Sequence, residues 1–207
     1  MKEIVCFGDS NTYGLIPGTK ERYSVSERWT GILAEQVKEQ GYSVAEEGLC
    51  GRTTVFDDPV RIGRRGTEYL PVILETHAPI DTIVVMLGTN DCKAYIDASP
   101  KMIGLGVRKI IEQIRAFDPK IRILLISPIF LGDDVFDGYD LDFNEKSVEV
   151  SKGLGEVYEK IAEEENLLFL KASDYAVASN ADREHLDGNG HRKLAKAIFD
   201  ILLKEAS

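Results

Sequence analysis

A serine hydroxyl becomes a nucleophile only when a neighbouring base takes its proton and a third group holds that base in the right tautomer. Ser10 is a candidate because it lies in CFGDSNTYG, residues 6–14, directly after a short apolar run. The chain has three histidines, so the search for its base is narrow. His77 precedes Ala78-Pro79 at the start of a predicted strand, on the rim opposite Ser10. His185 and His191 both fall near the correct edge. The spacing Asp182-x-x-His185 in a loop lets the carboxylate turn back to Nδ1 while Nε2 faces outward. Asp187 and His191 form the competing pair. There, Asp187-Gly188-Asn189-Gly190 reads as the entry to the last helix, with Asp187 or Asn189 capping it and His191 an ordinary surface residue of its first turn. The spacing favours Asp182 and His185.

Acyl transfer at such a serine also needs donors aimed at the oxygen of a tetrahedral intermediate. Backbone N–H groups beside glycine approach a ligand closely because no Cβ intervenes. Gly51, in GLCGRTT, is one such position. The Ser10 N–H at a strand-to-helix junction is a second, and the Asn90 side-chain amide in GTND is a third. Singly each is a common turn sequence; their joint order carries the weight.

Those residues can meet only if the elements between them bring them to one rim. IVCF (4–7), SVAEE (43–47), TIVVML (82–87), RILLIS (122–127) and LLFLK (167–171) are short, aliphatic or β-branched, and read as strands. Helical patterns separate them. TGILAEQVKEQ stops at Gly41, a natural C-terminal stop; another helix opens at Ser99-Pro100 and ends before Asp118-Pro119, where proline disfavours continuation. SVEVSKGLGEVYEKIAEEE and GHRKLAKAIFDILLKEA supply two more. Alternating strands and helices imply right-handed crossovers and a parallel sheet covered on both faces. The expected fold is a single domain over 1–207, a three-layer α/β/α sandwich with a five-stranded parallel sheet in flavodoxin-like order 2-1-3-4-5. In such sheets ligands bind at the carboxyl ends of the strands, where all four polar blocks lie. The connections 11–28, 49–66 and 130–146 are long enough to suggest function. The last mixes Val135, Phe136, Tyr139, Leu141 and Phe143 with acids, as either a packing surface or a solvated loop with its own small core.

Composition narrows the partners. A formal charge of −10 disfavours nucleic acid or an anionic membrane, both of which need a basic patch, and leaves a small neutral or cationic substrate. The apolar runs IVVML and ILLISPIFL are about half of the ~20 residues a spanning helix needs. The apolar run ending at Gly8 is too short for a signal-peptide core, and three cysteines without Cys-x-x-Cys suit a reducing cytoplasm.

Taken together, GDSN, GLCGRTT, GTND and DREH resemble the four sequence blocks of the SGNH (GDSL) hydrolases. The stretches WTGILAEQ, EEGLCGRTT, DDP, YLPVILETHAPID and VVMLGTNDCKAY resemble the arylesterase branch of that superfamily, which also shows acyltransferase and perhydrolase activity. The resemblance implies the SGNH hydrolase fold, Ser10 as nucleophile, Asp182 and His185 completing a triad, and Ser10 N–H, Gly51 N–H and Asn90 as oxyanion donors. It implies no metal or cofactor. It also implies a homo-oligomer, an octamer in that branch, with loops 11–28 and 130–146 at subunit contacts. Two positions depart from the pattern. Asn11 stands where the family name leads one to expect leucine, placing a polar group beside the nucleophile. Gly51 stands where relatives carry a small residue with a Cβ.

Rival readings explain less. A receiver-like signalling module with Asp9 or Asp91 as phosphoacceptor needs an acid cluster around magnesium, and the first strand ends instead in Gly-Asp-Ser. A metal-dependent phosphoesterase using Asp9, Asn90, Asp91 and His185 lacks histidines in the first and third blocks. Gly-x-Ser-x-Gly and the nucleotide-binding glycine motifs are absent. The expected function is a serine esterase acting on small carboxylic esters, with short acyl groups and aryl or alkyl alcohols suggested by the resemblance. Deacetylation of acylated sugars by the same triad is the near alternative.

Overall fold

The computed structural model describes residues 2–204. Five strands, β1 (Lys2–Gly8), β2 (Tyr42–Gly48), β3 (Ile80–Met86), β4 (Arg122–Ser127) and β5 (Leu168–Lys171), form one parallel sheet in the order β2-β1-β3-β4-β5. This is the expected order and class. Between and around the strands run α1 (Ser10–Tyr13), α2 (Trp29–Val37), α3 (Gly66–Thr76), α4 (Pro100–Phe117), α5 (Glu145–Glu165) and α6 (Gly188–Lys204).

The strand sequences are almost continuously apolar because both faces of the sheet are covered. Successive side chains point to opposite faces, and the core divides accordingly. Val5, Phe7, Ile83, Val85, Ile123 and Leu125 pack with Leu70, Ile103, Val107, Leu154 and Tyr158 from α3, α4 and α5. Ile4, Cys6, Val84, Met86, Leu124 and Ile126 pack with Trp29, Leu33, Leu194 and Ile198 from α2 and α6. The helices therefore form two layers, one on each side of the sheet.

Helix boundaries follow local chemistry. The Ser99 hydroxyl accepts the Met102 N–H at 3.3 Å ahead of Pro100, which needs no donor in a first turn. Asn144 and Ser147 cap α5 reciprocally: Asn144 Oδ1 accepts the Ser147 N–H at 3.0 Å, and Ser147 Oγ accepts the Asn144 N–H at 3.1 Å. The run TGILAEQVKEQ, expected to be one helix, is α-helical to Val37, after which Lys38–Gln40 tighten into a 3-10 turn that ends at left-handed Gly41. In the 130–146 connection Val135 and Phe143 are buried in the core while Leu141 stays exposed, so this loop is anchored from within.

Two glycines allow the site to form. A Cβ on Gly8 would come within 2.7 Å of the Met86 carbonyl oxygen, and one on Gly48 within 2.2 Å of the Tyr13 nitrogen. Their bareness lets α1, which starts at Ser10, lie directly against the ends of β1 and β2.

Candidate active site

Ser10 opens α1 immediately after β1, with Asp9 as the helix N-cap; Asp9 Oδ1 accepts the Asn11 N–H at 3.0 Å. The turn fixes Ser10 at the strand end with its side chain nearly buried. From the far end of the chain, the loop between β5 and α6 brings His185 to it. His185 Nε2 lies 2.8 Å from Ser10 Oγ, and His185 Nδ1 lies 2.8 Å from Asp182 Oδ2. The sequence-predicted trio is thus brought together.

The short segment 182–186 is organised by that carboxylate. Asp182 Oδ1 accepts the N–H groups of Glu184 at 3.1 Å and His185 at 3.0 Å, closing a tight turn in which Arg183 adopts a left-handed φ of 63°. Asp182 Oδ2, besides facing His185, accepts the Gly18 N–H at 2.8 Å. Burial alone would raise the Asp182 carboxyl, but the His185 ring and the N–H donors outweigh it and hold its pKa down at about 2. Burial likewise opposes charge on His185, while the neighbouring Glu184 and Asp182 carboxylates prevail and hold the imidazolium up at about 9. At neutral pH the ring therefore keeps its proton, and it becomes available as a base as the pH rises toward about 9.

The oxyanion candidates converge on the same strand ends. Gly51 follows β2 with a left-handed φ of 85°, and Asn90 opens the 3-10 turn after β3. Asn90 Nδ2 donates to the Arg52 carbonyl at 3.2 Å, which ties the amide to the residue beside Gly51.

The supporting roles of several residues were not legible in the sequence. Asn11 Oδ1 accepts the Leu186 N–H at 2.8 Å and the Trp29 indole donates to the Asn11 carbonyl at 3.0 Å, so Asn11 ties the histidine loop to α1 and α2. Arg52, nearly fully buried, donates to the Gly8 carbonyl at 2.9 Å and to the Glu47 carbonyl, and its guanidinium lies 4.4 Å from the centre of the Phe7 ring. Desolvation lowers its pKa to about 10. Asp91 is fully buried, and Asp91 Oδ1 accepts the Thr54 N–H at 3.0 Å, locking the loop after β2 to the turn after β3. Burial pushes Asp91 up to about 6. Arg52 and Asp91 lie inside the recognised blocks, but their types alone do not separate a scaffold from a site. An acid adjoining His185 in the DREH block was the only signal for Glu184.

The remaining histidines lie elsewhere. His77 Nε2 is 2.8 Å from Glu47 Oε1. His191 was expected to be an ordinary surface residue, and this is corrected: it is fully buried, and Nδ1 accepts the Trp29 N–H at 3.3 Å. The first turn of α6 faces α2, whose N-terminal N–H groups need acceptors. Burial pushes His191 down to about 4, so it is a neutral acceptor. Asp187 caps α6 as expected, accepting the Gly190 N–H at 2.7 Å. No group of three or more His, Cys, Asp or Glu that could hold a metal ion occurs among the described residues. No helix among them is long and apolar enough to cross a membrane.

This geometry can be set beside known proteins. The model of the GDSL-like lipase/acylhydrolase family matches residues 6–193. Est24, a carbohydrate acetylesterase from Sinorhizobium meliloti, is 33% identical, with 99% of each chain covered and a TM-score of 0.91. The native aryl esterase of M. smegmatis is similar to the same degree: 33% identity, 99% of each chain and a TM-score of 0.91. A search of curated proteins finds no match. With nearly its whole length matched by the family model and superposing on two esterases, the chain belongs to the GDSL-like lipase/acylhydrolase family and is a carboxylic ester hydrolase.

Proposed function

We propose that Ser10, His185 and Asp182 form the catalytic triad of a serine esterase for small carboxylic esters. The observation that carries this reading is the continuous line of contacts from Ser10 Oγ to His185 Nε2 and from Nδ1 to Asp182, each 2.8 Å long. His185 takes the Ser10 proton as Oγ bonds to the acyl carbon, and the carbonyl electron pair moves onto oxygen. The Ser10 and Gly51 N–H groups and the Asn90 amide receive that oxyanion. When the intermediate collapses, the alcohol leaves with the proton from His185 Nε2 and an acyl-Ser10 remains. Water, deprotonated by the same imidazole, repeats the sequence and frees the acid. Another alcohol in its place gives acyl transfer, and hydrogen peroxide gives a peracid. Asp182 stays ionised throughout and orients the ring.

Short acyl groups on aryl or alkyl alcohols are the proposed substrates, in keeping with the M. smegmatis aryl esterase. Acetylated sugars are the second reading, because Est24 is a carbohydrate acetylesterase. The chain is proposed to act as one domain over 1–207 in the cytoplasm, where free Cys6, Cys50 and Cys92 stay reduced, and without a cofactor. It is further proposed to assemble with copies of itself, up to an octamer, through loops 11–28 and 130–146; light scattering reads the mass directly. The test of the chemistry is p-nitrophenyl acetate turnover together with fluorophosphonate labelling. The label is expected on the Ser10 peptide, and a label elsewhere with Ser10 untouched overturns the assignment.

A further inference from the structure

Glu184 is a carboxylate that the esterase mechanism does not use. It is 92% buried, and its Oε1 lies 3.7 Å from His185 Nε2, the same atom that holds Ser10 Oγ. Its own backbone is held in place: the Glu184 N–H donates to Asp182 at 3.1 Å, and the Asn11 amide reaches the Glu184 carbonyl at 3.5 Å. Among the described residues its ion pair is with the histidine. Asp140, Asp182 and Asp9 all repel it, and it in turn opposes ionisation of the Cys50 thiol at the edge of the Gly51 loop. The adjoining Arg183 turns away, to Asp134 at 3.0 Å and to Asn180.

A buried carboxylate is costly unless something pairs with it. His185 pairs with it only while the ring is protonated, and in the deprotonated form that acts as the base it does not. The place of Glu184 is informative. Nε2 is the atom that delivers the proton to the departing alcohol, so a carboxylate beside Nε2 borders the alcohol side of the scissile bond. A substrate whose alcohol carries a positive charge there would supply the missing partner, and an anionic alcohol would add a further repulsion to an already acidic wall.

We propose that Glu184 is a specificity-determining residue of this esterase, selecting esters whose leaving alcohol is cationic over neutral ones and rejecting anionic ones. This inference rests on the Ser10 esterase reading above. Two unit charges a few Å apart at the edge of a protein interact strongly enough to give about tenfold discrimination.

The test compares three aryl acetates of similar shape at pH 9, where Glu184, whose burial raises it to about 7, is ionised. They are 3-(trimethylammonio)phenyl acetate, 3-tert-butylphenyl acetate and 3-sulfonatophenyl acetate. Values of kcat/KM are measured for the wild-type enzyme and for Glu184→Gln, and each ratio to the neutral ester is divided by the same ratio in the variant. This double ratio cancels the intrinsic reactivity of each leaving group and any general loss of activity. The expected value is about 10 for the cationic ester and about 0.1 for the anionic one. Double ratios near 1 for both, with the neutral ester turned over, overturn the inference alone. No turnover of any of the three by wild-type enzyme overturns the Ser10 esterase reading and the inference with it.

Discussion

The side-chain oxygen of Asn11 accepts the backbone N–H of Leu186 at 2.8 Å, joining positions 175 apart in the chain. Through it the residue after the proposed nucleophile holds the residue after the proposed base. The distance between Ser10 and His185 is therefore set twice, once by their own contact and once by their neighbours.

Asn11→Leu removes that second tie and leaves the buried Leu186 N–H without its acceptor. A buried donor stripped of its partner costs about 1–3 kcal/mol. The variant is expected to unfold at lower denaturant concentration and to lose kcat more than KM rises, since the loop carrying His185 is loosened. Urea unfolding and steady-state kinetics read both effects; wild-type kcat in a destabilised variant would show that the tie serves folding alone.

Two aspartates precede the two candidate bases, and they separate cleanly by mutation. Asp182→Asn replaces the carboxylate at His185 Nδ1 and is expected to lower kcat by about 10⁴-fold, as loss of the orienting acid does in other triads. Asp187→Asn touches only the cap of α6, where asparagine caps nearly as well as aspartate, so kcat should stay near the wild-type value. The reverse pattern would transfer the base to His191.

How much of this was legible beforehand depends on the length scale of the interaction. The strands of the sheet and the Asp182–His185 pair could be read because each rests on local pattern, apolar runs or a three-residue spacing, while the strand order followed from the fold type that alternating strands and helices imply. The burial of His191 could not, because it depends on how the first turn of α6 packs against Trp29, which lies 162 positions away. Asn11 illustrates the same limit. Its polarity beside the nucleophile was legible, but not that the structure employs both ends of its amide on the 184–186 segment. The role of Arg52, donating to two strand-end carbonyls while lying over Phe7, likewise exists only once β1 and β2 are side by side.

The oxyanion assignments can be tested apart from the triad. Asn90→Ala removes a side-chain donor and its bond to the Arg52 carbonyl, and kcat is expected to fall by about 10²- to 10³-fold with a much smaller change in KM. A loss confined to KM would make Asn90 a binding residue.

The pH profile tests the electrostatics of the histidine. Activity needs His185 without its proton, and the Glu184 and Asp182 carboxylates, outweighing burial, hold its pKa up at about 9. Log kcat/KM should therefore climb with pH through the neutral range and level off only above about 9, rather than near the ordinary histidine value of about 6.5. Because Glu184 and His185 interact directly, the midpoint belongs to the pair. Glu184→Gln removes one of the charges that favour the imidazolium, so the midpoint must move down, toward neutrality. Asp182→Asn removes another and must move it the same way while lowering the plateau. The same raised pKa adds stability that is fully present below about 6.5, where the unfolded histidine is protonated too, and is lost as pH rises through about 9. Urea midpoints measured from pH 6 to 10 should show this decline, and it should be shallower in Glu184→Gln. An activity profile centred near 6.5 in both enzymes would mean that Glu184 does not act on the base at all.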